Sequence, residues 1–130
     1  MAKEEYVMTD QELFRTDAAG LMPAKPAESV QLSDGDHLPL TITAVRKTLD
    51  CADLRMLAYN GSIPGPTLRV NQGSTVTVDI RNNGDVETTV HWHGLRLVNR
   101  YDGVPYETQD PILVGGDYSS QINFPDPGFY

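Results

Sequence analysis

Cysteine occurs once, at Cys51, so the chain can form no internal disulfide and holds no Cys-x-x-Cys pair for a zinc knuckle or a dithiol redox site. Cys51 is read as a small buried or loop residue. No apolar run approaches the roughly 18 residues of a membrane-spanning helix, and the opening segment MAKEEYVMTD lacks the apolar stretch of a secretory signal. These two absences leave the compartment open. Basic residues are scarce as well: 10 Lys and Arg stand against 18 Asp and Glu, a formal charge of -8. Such a surface has no positive field to gather phosphate backbones or anionic lipid, so neither nucleic acid nor a membrane is an expected partner.

A chain of 130 residues fits one ordinary domain and can bury roughly two-thirds of the surface that its unfolded form exposes. Residues 1–27 are polar, with a helix-like stretch at 9–16 and a Pro-bounded linker, Met22-Pro23-Ala24-Lys25-Pro26. They read as a leading arm that lies against something else. From residue 28 the pattern changes to short runs rich in Val, Ile, Leu and Thr, separated by Gly, Asn, Asp and Pro, which is the spacing of an all-β sandwich or barrel. Strands are predicted at 38–45, 54–59, 67–70, 75–81, 88–94 and 118–124, with a further short one at 29–32. In the clearest of them Val76, Val78 and Ile80 alternate with Thr75, Thr77 and Asp79, which assigns the apolar set to a core.

Asn60-Gly61-Ser62-Ile63-Pro64-Gly65-Pro66 has too many prolines and glycines for a strand or helix and must be an ordered loop. The connection over 99–117 carries Asp102-Gly103, Pro105, Pro111 and Gly115-Gly116 with little periodicity. Connections longer than about 12 residues in compact domains often carry function. Pro125-Asp126-Pro127-Gly128-Phe129-Tyr130 reads as a turn followed by the first residues of another strand. An unpaired internal edge is an aggregation hazard, so the folding unit is expected to continue past this point.

The chemistry concentrates in His91-Trp92-His93-Gly94. Residues two apart on a strand point to one face, so His91 and His93 are expected side by side with Cα atoms roughly 6.5–7 Å apart, while Trp92 faces the other way. Two imidazoles so arranged can address one metal or two adjacent ones, and neutral imidazole suits copper, zinc, iron and nickel. The motif alone leaves alternatives standing: a pair of satisfied polar residues at a sheet end, or the zinc site of a hydrolase, for which a third ligand of suitable spacing is wanting. The third histidine, His37, lies in the turn-like Ser33-Asp34-Gly35-Asp36-His37 and is read as a solvated turn residue.

Five signatures occur in order: Tyr59-Asn60-Gly61-Ser62-Ile63-Pro64-Gly65-Pro66-Thr67, Gly73-Ser74-Thr75-Val76, Thr88-Thr89-Val90-His91-Trp92-His93-Gly94-Leu95, Asp102-Gly103-Val104-Pro105 and Thr108-Gln109-Asp110-Pro111-Ile112. In order and spacing the segment 38–130 resembles the first cupredoxin domain of the multicopper oxidases, the group that includes laccases and ascorbate oxidases. The resemblance implies a Greek-key β-sandwich of cupredoxin (plastocyanin-like) type over 28–130, without its last strand or strands, preceded by the arm 1–27. It implies copper as the cofactor, in a trinuclear type 2/type 3 cluster, with His91 looking to the type 2 copper and His93 to a type 3 copper. The acidic residue of the Asp-Gly element manages protons near that cluster in relatives, which points to Asp102; its plain alternative is a turn residue that favours Gly103 after it. Asp110 stands where some relatives have cysteine, so no disulfide is implied there.

The further cluster ligands and the type 1 copper of such enzymes come from later domains, and Cys51 is in the wrong place to serve. The implied activity is one-electron oxidation of a small substrate coupled to reduction of dioxygen to water, with the remaining cupredoxin domains of the same oxidase as partners. By itself the 130-residue chain is expected to be inactive. Relatives are often periplasmic or secreted. The rival from another class is a non-enzymatic β-sandwich module that binds metal weakly or only packs against other domains.

Overall fold

A computed structural model describes residues 15–130. The helix-like stretch expected at 9–16 lies outside the described residues apart from Arg15 and Thr16, which have no regular structure. Six strands follow: β1 Ser29–Leu32, β2 His37–Leu49, β3 Ala52–Tyr59, β4 Thr67–Val70, β5 Thr75–Asn83 and β6 Asp117–Asn123, with one 3₁₀ turn at Asn99–Tyr101. The four larger strands form a mixed sheet in the order β3-β2-β5-β6, and β1 and β4 pair in parallel as a second, smaller sheet. The chain is thus all-β, as its turn-punctuated apolar runs require.

Strand β5 sits at the centre because its alternation is the cleanest. Val76, Val78 and Ile80 are almost wholly buried, next to Leu38 and Leu40 of the parallel neighbour β2 and Ile122 of the antiparallel neighbour β6. Leu32 of β1 completes the core from the other sheet, joined by Val90, Tyr101 and Ile112 from outside the strands. Each Val or Ile buried in this way stabilises the fold by roughly 1.5–3 kcal/mol. Strands β2 and β3 run longer than their apolar patterns suggest because they form one hairpin, with Leu49 opposite Ala52 across a tight turn at Asp50 and Cys51. Cys51 is therefore an exposed turn residue.

The Pro/Gly loop after β3 is ordered by its first residue. Asn60, in the left-handed region with φ 51°, accepts the Thr41 amide at 2.7 Å through its side-chain oxygen and donates to the Pro39 carbonyl at 3.0 Å. The side-chain amide thus stands in for a strand partner. The end of the leading arm, expected to lie against something else, pairs at residues 22–24 with this same sheet: the Arg46 amide donates to the Met22 carbonyl and the Ala24 amide to the Arg46 carbonyl, at 2.9 and 2.8 Å. It covers the part of β2 beyond the point where β5 diverges.

Candidate metal centre

The histidine-bearing segment departs from expectation in one respect. Instead of a strand over 88–94 it has a single antiparallel bridge, in which Thr88 and Ile112 exchange both backbone hydrogen bonds, at 3.1 and 2.7 Å. What lies beside the next peptide is the Asp102-Gly103 backbone: a Cβ on Gly103 would stand 2.0 Å from the Val90 carbonyl oxygen and 2.9 Å from the His91 nitrogen. That contact replaces the next rungs of a ladder. At the other end the Leu95 amide turns back to the Trp92 carbonyl at 3.2 Å, and Gly94 takes φ 85°, which ends the extended run.

The two-residue periodicity survives without the ladder. Val90 is buried and Trp92 packs against the core, while His91 and His93 are both exposed. The two rings meet edge to face, with centroids 5.7 Å apart and planes at 73°. Both line one cleft of about 940 Å³, whose further walls include Tyr59, Leu68, Phe124 and Tyr130.

His91 is held by more than its backbone. Its Nδ1 lies 2.5 Å from the backbone carbonyl oxygen of Asp102. A carbonyl has no proton to give, so Nδ1 carries the hydrogen and donates it, and in the neutral form of the ring the lone pair then lies on Nε2. Metal-binding histidines are commonly oriented in this way, through the nitrogen that does not meet the metal. The carbonyl is itself anchored: Asp102 follows the 3₁₀ turn, where Tyr101 is buried and the Tyr118 hydroxyl of β6 donates to the Arg100 carbonyl at 2.6 Å. The Asp102 carboxylate, a little over one-third exposed, stands 3.8 Å from the same His91 nitrogen.

The Asp-Gly element points to the Asp102 carboxylate, yet the atom in direct contact with His91 is the Asp102 main-chain oxygen, which no side-chain pattern announces. Asn82 is a second residue that the sequence concealed. Its Asn-Asn-Gly-Asp context reads as a turn, but Asn82 is fully buried at the end of β5. Its amide group donates to the Val86 and Ile112 carbonyls, both at 2.9 Å, and accepts the Gly84 amide at 2.9 Å. Through Ile112 it supports the bridge that carries Thr88.

His37 does not belong with this pair, and it is not a turn residue either. It is the first residue of β2, its Nδ1 2.8 Å from Oδ2 of Asp79 on the neighbouring strand. The Ser119 hydroxyl donates to the other oxygen of Asp79 at 2.6 Å, and these two contacts, the serine first, hold that carboxyl below its ordinary range. Among the described residues no group of three or more His, Cys, Asp and Glu side chains comes together in a metal-binding arrangement.

Residues 41–130 match the family model described as Multicopper oxidase. The chain belongs to the multicopper oxidase family. Among similar proteins, copper resistance protein A of Pseudomonas syringae pv. tomato is 40% identical over 99 residues, 76% of this chain and 15% of that protein. The multicopper oxidase MmcO of Mycobacterium tuberculosis is 34% identical over 116 residues, 87% of this chain and 23% of that protein. A crystal structure of a multi-copper oxidase from Pseudomonas thermotolerans superposes with a TM-score of 0.68 at 32% identity, covering 77% of this chain and 24% of that one. The fold is therefore the cupredoxin sandwich of multicopper oxidases, and the family is one of copper proteins. This multicopper oxidase chain spans less than a quarter of the length of each of these three relatives.

Proposed function

We propose that residues 28–130 are the first cupredoxin domain of a multicopper oxidase, preceded by the arm 1–27, and that His91 and His93 are its contribution to a trinuclear copper cluster. In this reading His91 serves the type 2 copper and His93 a type 3 copper. The whole oxidase removes single electrons from a small reducing substrate and reduces dioxygen to water. The observation that carries the reading is the His91–His93 pair itself: two exposed imidazoles 5.7 Å apart, one with its Nδ1 hydrogen already committed to a carbonyl.

The donor set fits copper. Neutral imidazole nitrogen is a preferred copper ligand, and the tautomer in which His91 is held leaves Nε2 available. Copper, when bound, supplies the one-electron redox chemistry that no side chain here can perform. The chain's own part is to hold two neutral rings at a set spacing, with Trp92 and Val90 packed inward so that the segment cannot roll. The Asp102 carboxylate, accessible to water and close to His91, is placed to hold or release a proton beside the site.

Two nitrogens do not complete a copper coordination sphere, still less a cluster of three. The remaining ligands belong in this reading to other cupredoxin domains of the same oxidase, which meet the cleft that both rings line. The consequence is directly measurable. The 130-residue chain supplied with copper and a phenol or aromatic amine should show no sustained oxygen uptake. Multiple turnovers by the chain alone would contradict the shared-cluster reading.

A further inference from the structure

Two neighbouring side chains of the histidine segment reach two neighbouring carbonyls of the 99–117 connection. The Thr89 hydroxyl donates to the Gly103 carbonyl at 2.6 Å, and His91 Nδ1 donates to the Asp102 carbonyl at 2.5 Å. Between them lies Val90, whose carbonyl group is met by the Gly103 backbone so closely that an added Cβ would stand 2.0 Å from the oxygen and 2.5 Å from the carbon. Gly103 also takes φ 73°, a conformation that side chains with a Cβ rarely adopt. The two backbones are thus clasped at three consecutive points, at residues 89, 90 and 91. Only the last of these involves a proposed ligand.

We propose that Thr89 and Gly103 are positioning residues that select the tautomer of His91. The hydroxyl of Thr89 fixes the height of the Gly103 peptide, the missing side chain of Gly103 allows the approach, and the Asp102 carbonyl then has one place to stand, against Nδ1 of His91. A histidine without that acceptor exchanges its proton between the two ring nitrogens and offers Nε2 to a metal for only part of the time. The clasp therefore raises affinity by preorganisation: it holds the free chain in the ligand form that binding requires. This inference rests on the reading of His91 as a copper ligand, but its structural half is independent of any metal.

The test uses the full chain with ¹⁵N-labelled histidine, free of metal, because imidazole nitrogen shifts distinguish protonated from unprotonated sites. The wild type and Thr89→Ser, which keeps the hydroxyl, should both show His91 protonated at Nδ1 alone. Thr89→Val should show a mixture at His91 and an unchanged His93, with Thr89→Ala as a smaller substitute should the valine disturb the fold. Copper(II) affinity should fall about tenfold in the valine and alanine variants and stay near wild type in the serine variant. A single Nδ1-protonated tautomer and wild-type affinity in both hydroxyl-deleted variants would overturn the proposal. His91→Ala separates the two levels: copper affinity unchanged by that variant sinks the ligand assignment, whereas copper lost in His91→Ala but retained in Thr89→Val sinks only the clasp.

Discussion

The guanidinium of Arg55 grips the carboxylate of Asp85 with two hydrogen bonds, Nε to Oδ2 at 2.9 Å and Nη2 to Oδ1 at 2.6 Å. Both side chains are largely buried, and the remaining Nη1 of Arg55 donates to the Asp17 carbonyl at 3.1 Å, tying the leading arm to β3. Paired, planar hydrogen bonds of this kind are the strong form of ion pair, and they leave little of either charge without a partner.

Removing one partner of such a pair strands the other. Asp85→Asn is expected to lower unfolding stability by about 3 kcal/mol, read from urea denaturation near neutral pH. The pair also sets a pH dependence. The hydrogen bond from Arg55 is the main cause that holds the Asp85 carboxyl below its ordinary value. A carboxyl whose folded pKa is depressed adds stability that is fully present above its unfolded pKa, near 4, and is lost as pH falls through the lower folded value. The acid limb of the stability curve should therefore be shallower in Asp85→Asn than in the wild type. An identical acid limb in the two proteins would show that the pair is not linked to folding.

Asn82 carries a separate prediction because every polar atom of its side chain is used. Asn82→Ala leaves the Gly84 amide and the Val86 carbonyl without their partner and opens a space beside Ile112. A loss of about 2 to 3 kcal/mol follows from stranding buried polar groups. Its particular signature is local: amide hydrogen exchange at Thr88 and Ile112, which bridge to each other, should accelerate more than exchange at Val78 in the core. Uniform acceleration across all three would show that Asn82 supports the sandwich as a whole and not the histidine segment.

How much of this was legible in the sequence depended on whether the deciding contact was local. The core face of β5 was, since Val76, Val78 and Ile80 must share a side whatever they meet. The exposed face of the histidine segment was too, because alternation puts Trp92 inward whenever Val90 is inward. What partners that segment was not. Its neighbour is a peptide eleven residues away whose contribution is a main-chain oxygen, and every residue carries one of those. Gly103 left a trace as part of an Asp-Gly turn, but the reason for the glycine, a carbonyl pressed against its Cα, comes from the 88–94 segment and not from the turn. His37 shows the same limit at short range: one residue past the Asp34-Gly35-Asp36 turn it enters β2 and meets Asp79 of β5, a pairing fixed by the parallel register of two strands.

His91 and His93 bind copper together in the proposed cluster, and pulsed electron paramagnetic resonance of the copper(II)-loaded chain counts coordinated imidazoles directly. The wild type should give the nitrogen modulation of two imidazoles, His91→Ala and His93→Ala each that of one, and the double variant none. A two-imidazole signal that persists in either single variant, or an imidazole signal that persists in the double variant, would contradict the assignment.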